Sequence, residues 1–394
     1  MTQDAPLVIT ASDDLQRALD LAATEGRLAL DTEFMRERTY RARLCLVQIG
    51  TTHHVAVVDP LADVDLQPLA KVLADPDVRV IVHAGKQDLE IFHDMFGVVP
   101  RNVFDVQIAA AFAGLGASLP YARVVEALTG TALAKGESYT DWCQRPLTKD
   151  QLKYAADDVR YLPAVADALD ARLADLGRTR WVSEELLSLE DPENYGADPI
   201  GAWKRVSGRG SLSSAQLAVL RELGAWREDA ARDRDLPRGW IVKDPTLVEL
   251  ARRAPRTKDQ LQKIRGLSRG EIDRSGVAIL DAIARGKDAA PVERTTMPPR
   301  SIQIRTRAIA GLADAVLRAR CEGAGIAPES VATRAELEAL IADSIVGEAD
   351  VKKHPLLTGW RRELAGLAIV AVAQGKVSVR ATDKPPFIEE IERP

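Results

Sequence analysis

RLALDTEF, residues 27–34, is the stretch on which the reading of this chain turns. A short aliphatic run ending in polar residues reads as a buried strand. Side chains two apart on a strand share a face, so Asp31 and Glu33 project together from its end. Two carboxylates that close repel and lose hydration unless a proton or a cation neutralises them. A divalent ion with a preference for oxygen, Mg²⁺ or Mn²⁺, meets that need. A polar strand end facing solvent is the plain alternative, and Asp-x-Glu alone does not separate the two.

Working outward, DDLQRALDLAAT (13–24) carries apolar residues at helical spacing behind Ser12 or Asp13 as N-cap. RLCLVQIG (43–50) and HHVAVVDP (53–60) read as two further strands of a meander, with the basic stretch RERTYRAR (36–43) before them. A helix near 66–74, a strand at 79–84, a helix at 86–96 and an extended piece at 102–105 follow. From Leu119 the pattern is helical, ending in a long helix over 148–175 that Pro163 kinks or restarts. Strands, then alternation, then helices predict a mixed-sheet α/β domain. A dinucleotide-binding fold is set aside, because no GxGxxG follows any strand.

The rest of the chain is a different material. Residues 191–208, rich in Pro, Gly and polar residues, read as a linker, and 209–286 as an all-helical block. A Pro-rich linker over 287–300 precedes a second helical block at 301–382, and the tail 383–394 is expected to be flexible. The predicted domains are therefore 1–190, 209–286 and 301–382. A length of 394 residues fits two or three domains.

The net charge of −5 hides a division: residues 1–190 carry −10, 201–290 carry +7 and 291–394 carry +1. An acidic front suits a site that collects divalent cations, and a basic middle suits a polyanion; ordinary variation between domains fits equally. No run of 18 apolar residues is present, and the N-terminus lacks a basic-then-apolar leader, so neither a membrane span nor secretion is expected. Cys45, Cys143 and Cys321 are odd in number and far apart, which argues against a disulfide framework or zinc ribbon and predicts a reducing cytoplasm.

Two further places carry candidate chemistry. Asp88 falls in the first turns of the 86–96 helix, where an acid also serves the helix dipole. Tyr154 and Asp158 are spaced i, i+4 on one face of the late helix, with Asp157 on another face and expected in solvent. Each is unremarkable alone. Together with Asp31 and Glu33 they form an ordered set of five.

That set, in that order and on those elements, resembles the DEDD exonucleases, in the branch whose last motif carries a tyrosine, and within them the ribonuclease D family. The resemblance is carried by LALDTEFMRERTYRARLCLVQIG (28–50), HAGKQDLEIF (83–92), VFDVQIAAAFAG (103–114), ESYTDWCQRPLT (137–148) and YAADDVRYLPAV (154–165). It spans residues 20–180 almost continuously and implies an RNase H-like fold. The helical blocks resemble HRDC domains, the first through 220–255 and QLQKIRGL (260–267), the second more loosely through ATRAELEALI (332–341) and LLTGWRRELAG (356–366).

The resemblance implies a metal-dependent 3′→5′ exoribonuclease that releases nucleoside 5′-monophosphates. Asp31, Glu33, Asp88 and Asp158 are the implied ligands of two divalent ions, and Tyr154 the residue that orients the attacking water. Phe34, Gln48, His83 and Trp142 are the candidate contacts to nucleic acid, each with a structural role as the alternative. The implied partner is RNA with a free 3′ end, such as a tRNA precursor, bound by a monomer that uses no small-molecule cofactor. A DNA exonuclease of the same superfamily and a non-catalytic RNA-binding protein are the rival expectations. No Walker motif is present to support a helicase.

Overall fold

The computed structural model describes residues 6–133, 140–196, 198–293, 298–347 and 353–392. The first three residues of the 137–148 motif lie outside them. Six strands form one sheet in the order β1-β4-β3-β2-β5-β6: β1 Leu7–Ile9, β2 Arg27–Met35, β3 Arg43–Gly50, β4 Val55–Val58, β5 Arg79–Val82 and β6 Val103–Asp105. β1 runs parallel to β4, β5 parallel to both β2 and β6, and β3 antiparallel to β4. This is the expected mixed sheet. β1 was not anticipated, because three residues are too few for periodicity to register and its partner lies in β4, far along the chain.

The helices that follow are α1 Ser12–Glu25, α2 Gln67–Ala74, α3 Lys86–Phe96, α4 Val106–Phe112, α5 Tyr121–Thr129, α6 Lys149–Arg160, α7 Leu162–Asp175 and α8 Thr179–Leu186. Pro163 sits in the first turn of α7, where its missing N–H has no intrahelical partner to lose. The chain therefore restarts at Tyr161 instead of bending one long helix.

The first helical block comprises α9 Ser214–Asp233, α10 Arg238–Ile241, α11 Asp244–Arg253, α12 Lys258–Leu261 and α13 Arg269–Asp288. Leu220, Leu223, Leu247, Leu250, Ile279 and Ile283 fill its core. At Gly286 a Cβ would stand 2.4 Å from the Cα of Val219, so glycine is what lets α13 close on α9. The expected linker at 191–208 is partly core: Val206 is fully buried in this cluster, and Trp203 packs on it. Its Gly and Pro content signalled turns, which here are packed ones.

The second block holds α14 Arg300–Ala324, α15 Pro328–Val331, α16 Arg334–Val346, α17 Gly359–Arg361 and α18 Leu367–Ala373, the last two joined by a π-helical turn. It is not all helical. β7 Val377–Ala381 and β8 Ile388–Glu392 pair antiparallel, and Arg320 holds Glu390 at 2.7 Å, so the tail expected to be flexible is a hairpin. Low hydrophobicity suggested disorder; the pairing of two polar strands was not visible in it.

By internal contacts the chain divides into two compact units. One is Met1–Thr32, Leu46–Asn194 and Met297–Pro394; the other is Glu33–Cys45 with Tyr195–Thr296. Within the first, the second helical block is docked on the nuclease helices. Trp360 is buried edge-on against Phe112, with ring centroids 4.7 Å apart, and Glu185 accepts from Trp360 Nε1 at 3.0 Å and from Arg361 at 2.8 and 3.1 Å. Cys45 and Cys143 are disulfide-bonded and Cys321 is free, contrary to the expectation of three thiols; separation in sequence carried no information about their separation in space. No described helix is long and apolar enough to cross a membrane.

Candidate active site

Asp31 and Glu33 leave β2 on one face, both half-buried. Asp158 comes to them from α6, a helix started by a reciprocal cap in which Thr148 Oγ1 accepts from Gln151 N and the Gln151 side chain accepts from Thr148 N. One carboxylate oxygen from each of Asp31, Glu33 and Asp158 lies within 4.8 Å of the others. α6 can approach this closely because β3 ends in Gly50: a Cβ there would meet the Val159 carbonyl at 3.1 Å and Ala29 Cβ at 3.3 Å. Like charges gathered this tightly need a counter-charge, and an all-oxygen donor set suits a hard divalent cation. The residues present therefore fit Mg²⁺ or Mn²⁺.

The fourth acid stands apart from that cluster. Asp88 is 7% exposed and takes a short hydrogen bond from Thr32 Oγ1, the residue between Asp31 and Glu33. Burial pushes its carboxyl up to about 6, the Thr32 hydrogen bond opposing and the charge of Asp105 adding. Asp105 fixes the start of α3: its carboxylate accepts from Ala84 N and Gly85 N, both at 3.1 Å, and also caps α4 through Gln107 N at 2.8 Å. Ala84 is held at φ 53°, a left-handed conformation that turns the chain from β5 into α3 and sends Asp88 inward.

Tyr154, one turn before Asp158, lies against the buried ring of Trp142, centroids 5.8 Å apart at 32°. Trp142 is thus a support for Tyr154 in this structure. Gln48 is fully buried in β3, and its amide has no hydrogen-bond partner among the described residues. His83 packs against Tyr121 with centroids at 5.4 Å, and burial holds its imidazole below the ordinary value, with Asp105 opposing. Phe34 follows Glu33, half-buried on the opposite side of the strand. Asp157, expected in solvent, is bound by Lys153 at 3.1 Å and Arg160 at 3.3 Å.

Three site-building residues were not singled out from the sequence. Asp105 has a readable signal, a polar residue at a strand–helix junction, which is the pattern of a cap. Thr32 and Tyr121 have none. Tyr121 donates to the Asp157 carbonyl at 3.1 Å. Burial, then the charges of Asp158 and more weakly Asp31, hold its hydroxyl well above the ordinary value, so it stays protonated beside the acids.

A mixed α/β sheet with acids gathered at the end of a central strand and on a late helix defines a 3′→5′ exonuclease, and the 3'-5' exonuclease family model matches residues 6–174. The HRDC domain model matches residues 216–283. The chain is 38% identical over 385 residues to the ribonuclease D of Granulibacter bethesdensis, covering 96% of this chain and 95% of that one. It is 39% identical over 379 residues to that of Gluconacetobacter diazotrophicus, covering 94% of each. Among solved structures it is similar to Escherichia coli RNase D, an exoribonuclease involved in structured RNA processing, with TM-score 0.79, 32% identity and coverage of 94% and 99%. The catalytic core of RRP6 from Trypanosoma brucei matches at TM-score 0.54 and 26% identity, covering 74% of this chain and 82% of that one. The chain belongs to the ribonuclease D family and is a 3′→5′ exoribonuclease with an RNase H-like catalytic domain followed by a helical HRDC domain.

Proposed function

We propose that this exoribonuclease is metal-dependent and trims the 3′ ends of tRNA precursors or other stable RNAs. The observation that carries the metal dependence is the convergence of Asp31, Glu33 and Asp158. These three, with Asp88 alongside, would hold two divalent ions. Bound there, the ions supply a water activated at neutral pH and charge neutralisation at the scissile phosphate. Tyr154 aims that water, a role that needs its hydroxyl protonated, as a tyrosine of ordinary pKa about 10 is at pH 7. Phe34 stacks on the terminal base without reading it. The basic block 201–290 grips phosphates, and its grip weakens with salt. We read 301–382 as a second HRDC-like domain, whose near-neutral charge suits packing better than phosphate contact.

The test is a 5′-labelled single-stranded RNA incubated with Mg²⁺, with Mn²⁺ and with EDTA, beside the D31A/E33A variant and a DNA of the same sequence. A ladder shortening from the 3′ end with metal, lost in EDTA and reduced at least about 10³-fold in the variant, is the expected result. Full activity in EDTA, or in the variant, overturns the metal reading. Faster loss of the DNA overturns the RNA one.

A further inference from the structure

The loop that leaves Glu33 is tied to the first helical block by a buried charge. Tyr40 is 9% exposed, and its hydroxyl donates to Glu228 Oε1 at 2.5 Å. Glu228, on α9, is 1% exposed and takes two further hydrogen bonds of 2.5 Å from Arg238 of α10. The guanidinium of Arg238 lies 4.9 Å from the centre of the Tyr40 ring. On the other side, Asp235 Oδ1 accepts from the backbone N–H of Tyr40 at 3.1 Å and of Arg41 at 2.9 Å. Arg36 Nε closes the loop on itself through the Tyr40 carbonyl at 3.3 Å.

A buried ion pair adds little net stability over a well-packed apolar pair, but it fixes a geometry, because a displaced partner leaves a charge buried alone. Here the geometry it fixes is that of Glu33–Cys45, which packs as one unit with Tyr195–Thr296. That segment begins with one of the three clustered acids. Loops otherwise belong to the least stable parts of a fold, and a ligand displaced by a fraction of an ångström holds its ion poorly.

We propose that Tyr40, Glu228, Arg238 and Asp235 are positioning residues for the metal site, through which the helical domain sets the placement of Glu33 and Phe34. The inference rests on the metal reading above. It is tested on the full chain, without RNA, by calorimetric titration of Mn²⁺ into wild type, Y40F and D235G, with thermal unfolding recorded alongside. D235G deletes the acceptor while keeping the left-handed backbone of Asp235 (φ 47°) accessible. Weakening of Mn²⁺ binding by about threefold to tenfold in both variants is expected, the lower range of effects seen for outer-shell partners. RNA trimming at limiting Mn²⁺ falls in step and recovers at saturating Mn²⁺. Unchanged Mn²⁺ affinity in D235G, an exposed position whose change leaves the core intact, overturns the positioning role, whatever happens to melting temperature. A wild type that binds no Mn²⁺ overturns the metal reading itself, a distinguishable result.

Discussion

At the scale of single residues, Tyr40 and Glu228 make a claim that pH can check. Burial, then the hydrogen bond and charge of Glu228, pushes the Tyr40 hydroxyl up to about 12 from an ordinary value of 10.0. Burial raises the Glu228 carboxyl too, but hydrogen bonds from Arg238 and Tyr40 and the charge of Arg238 outweigh it and hold the group below its ordinary 4.5. A raised acid keeps its proton longer folded than unfolded. Tyr40 therefore contributes stability in full below pH 10, lost as pH rises towards 12. Glu228 contributes stability above pH 4.5, lost as pH falls through its lower folded value. The difference in unfolding free energy between wild type and Y40F should accordingly shrink between pH 9 and 11.5, as read by denaturant unfolding at each pH; a gap of constant size would show that Tyr40 titrates normally. Of these residues the sequence displayed only the basic stretch around Tyr40, since a tyrosine in a polar loop announces no buried partner.

At the scale of elements, the site depends on where α6 begins. The Thr148–Gln151 cap fixes the first turn, and Tyr154 and Asp158 follow at one and two turns from it. T148A should cost about 1 kcal/mol, the usual worth of an N-cap, and lower RNA trimming more than it lowers stability, because it loosens the turn before Tyr154. Thermal unfolding and a rate assay on the same preparation check both; equal stability would show that the cap is redundant. Asp31 with Glu33, and Tyr154 with Asp158, were legible as same-face pairs because strands and helices have fixed periods. The break at Tyr161 was half legible from Pro163. β1 and the terminal hairpin were not, since short strands are defined by a partner that the local pattern does not contain.

At the scale of the molecule, the second helical block acts as structure. Trp360 is 2% exposed against Phe112 and bonded to Glu185, so W360A should lower stability by about 3–5 kcal/mol, the usual cost of emptying a buried tryptophan site. Its RNA affinity should keep the wild-type salt dependence if this block makes no phosphate contacts. Calorimetric melting and RNA titrations at two salt concentrations test the pair of statements, and a weaker salt slope in W360A would give the block a part in binding.

The sequence by itself determined the sheet-then-helix order, the acids that face together, and the family whose motifs they complete. All of these are set by local period and residue chemistry. Only the tertiary structure decided that Asp158 joins Asp31 and Glu33 while Asp88 pairs with Thr32, that Asp105 anchors α3, and that the loop beyond Glu33 is held by Glu228 of α9. The physical reason is the same in each case. A hydrogen bond or a close carboxylate contact depends on the approach of chain segments up to 188 residues apart, and no local pattern encodes that approach.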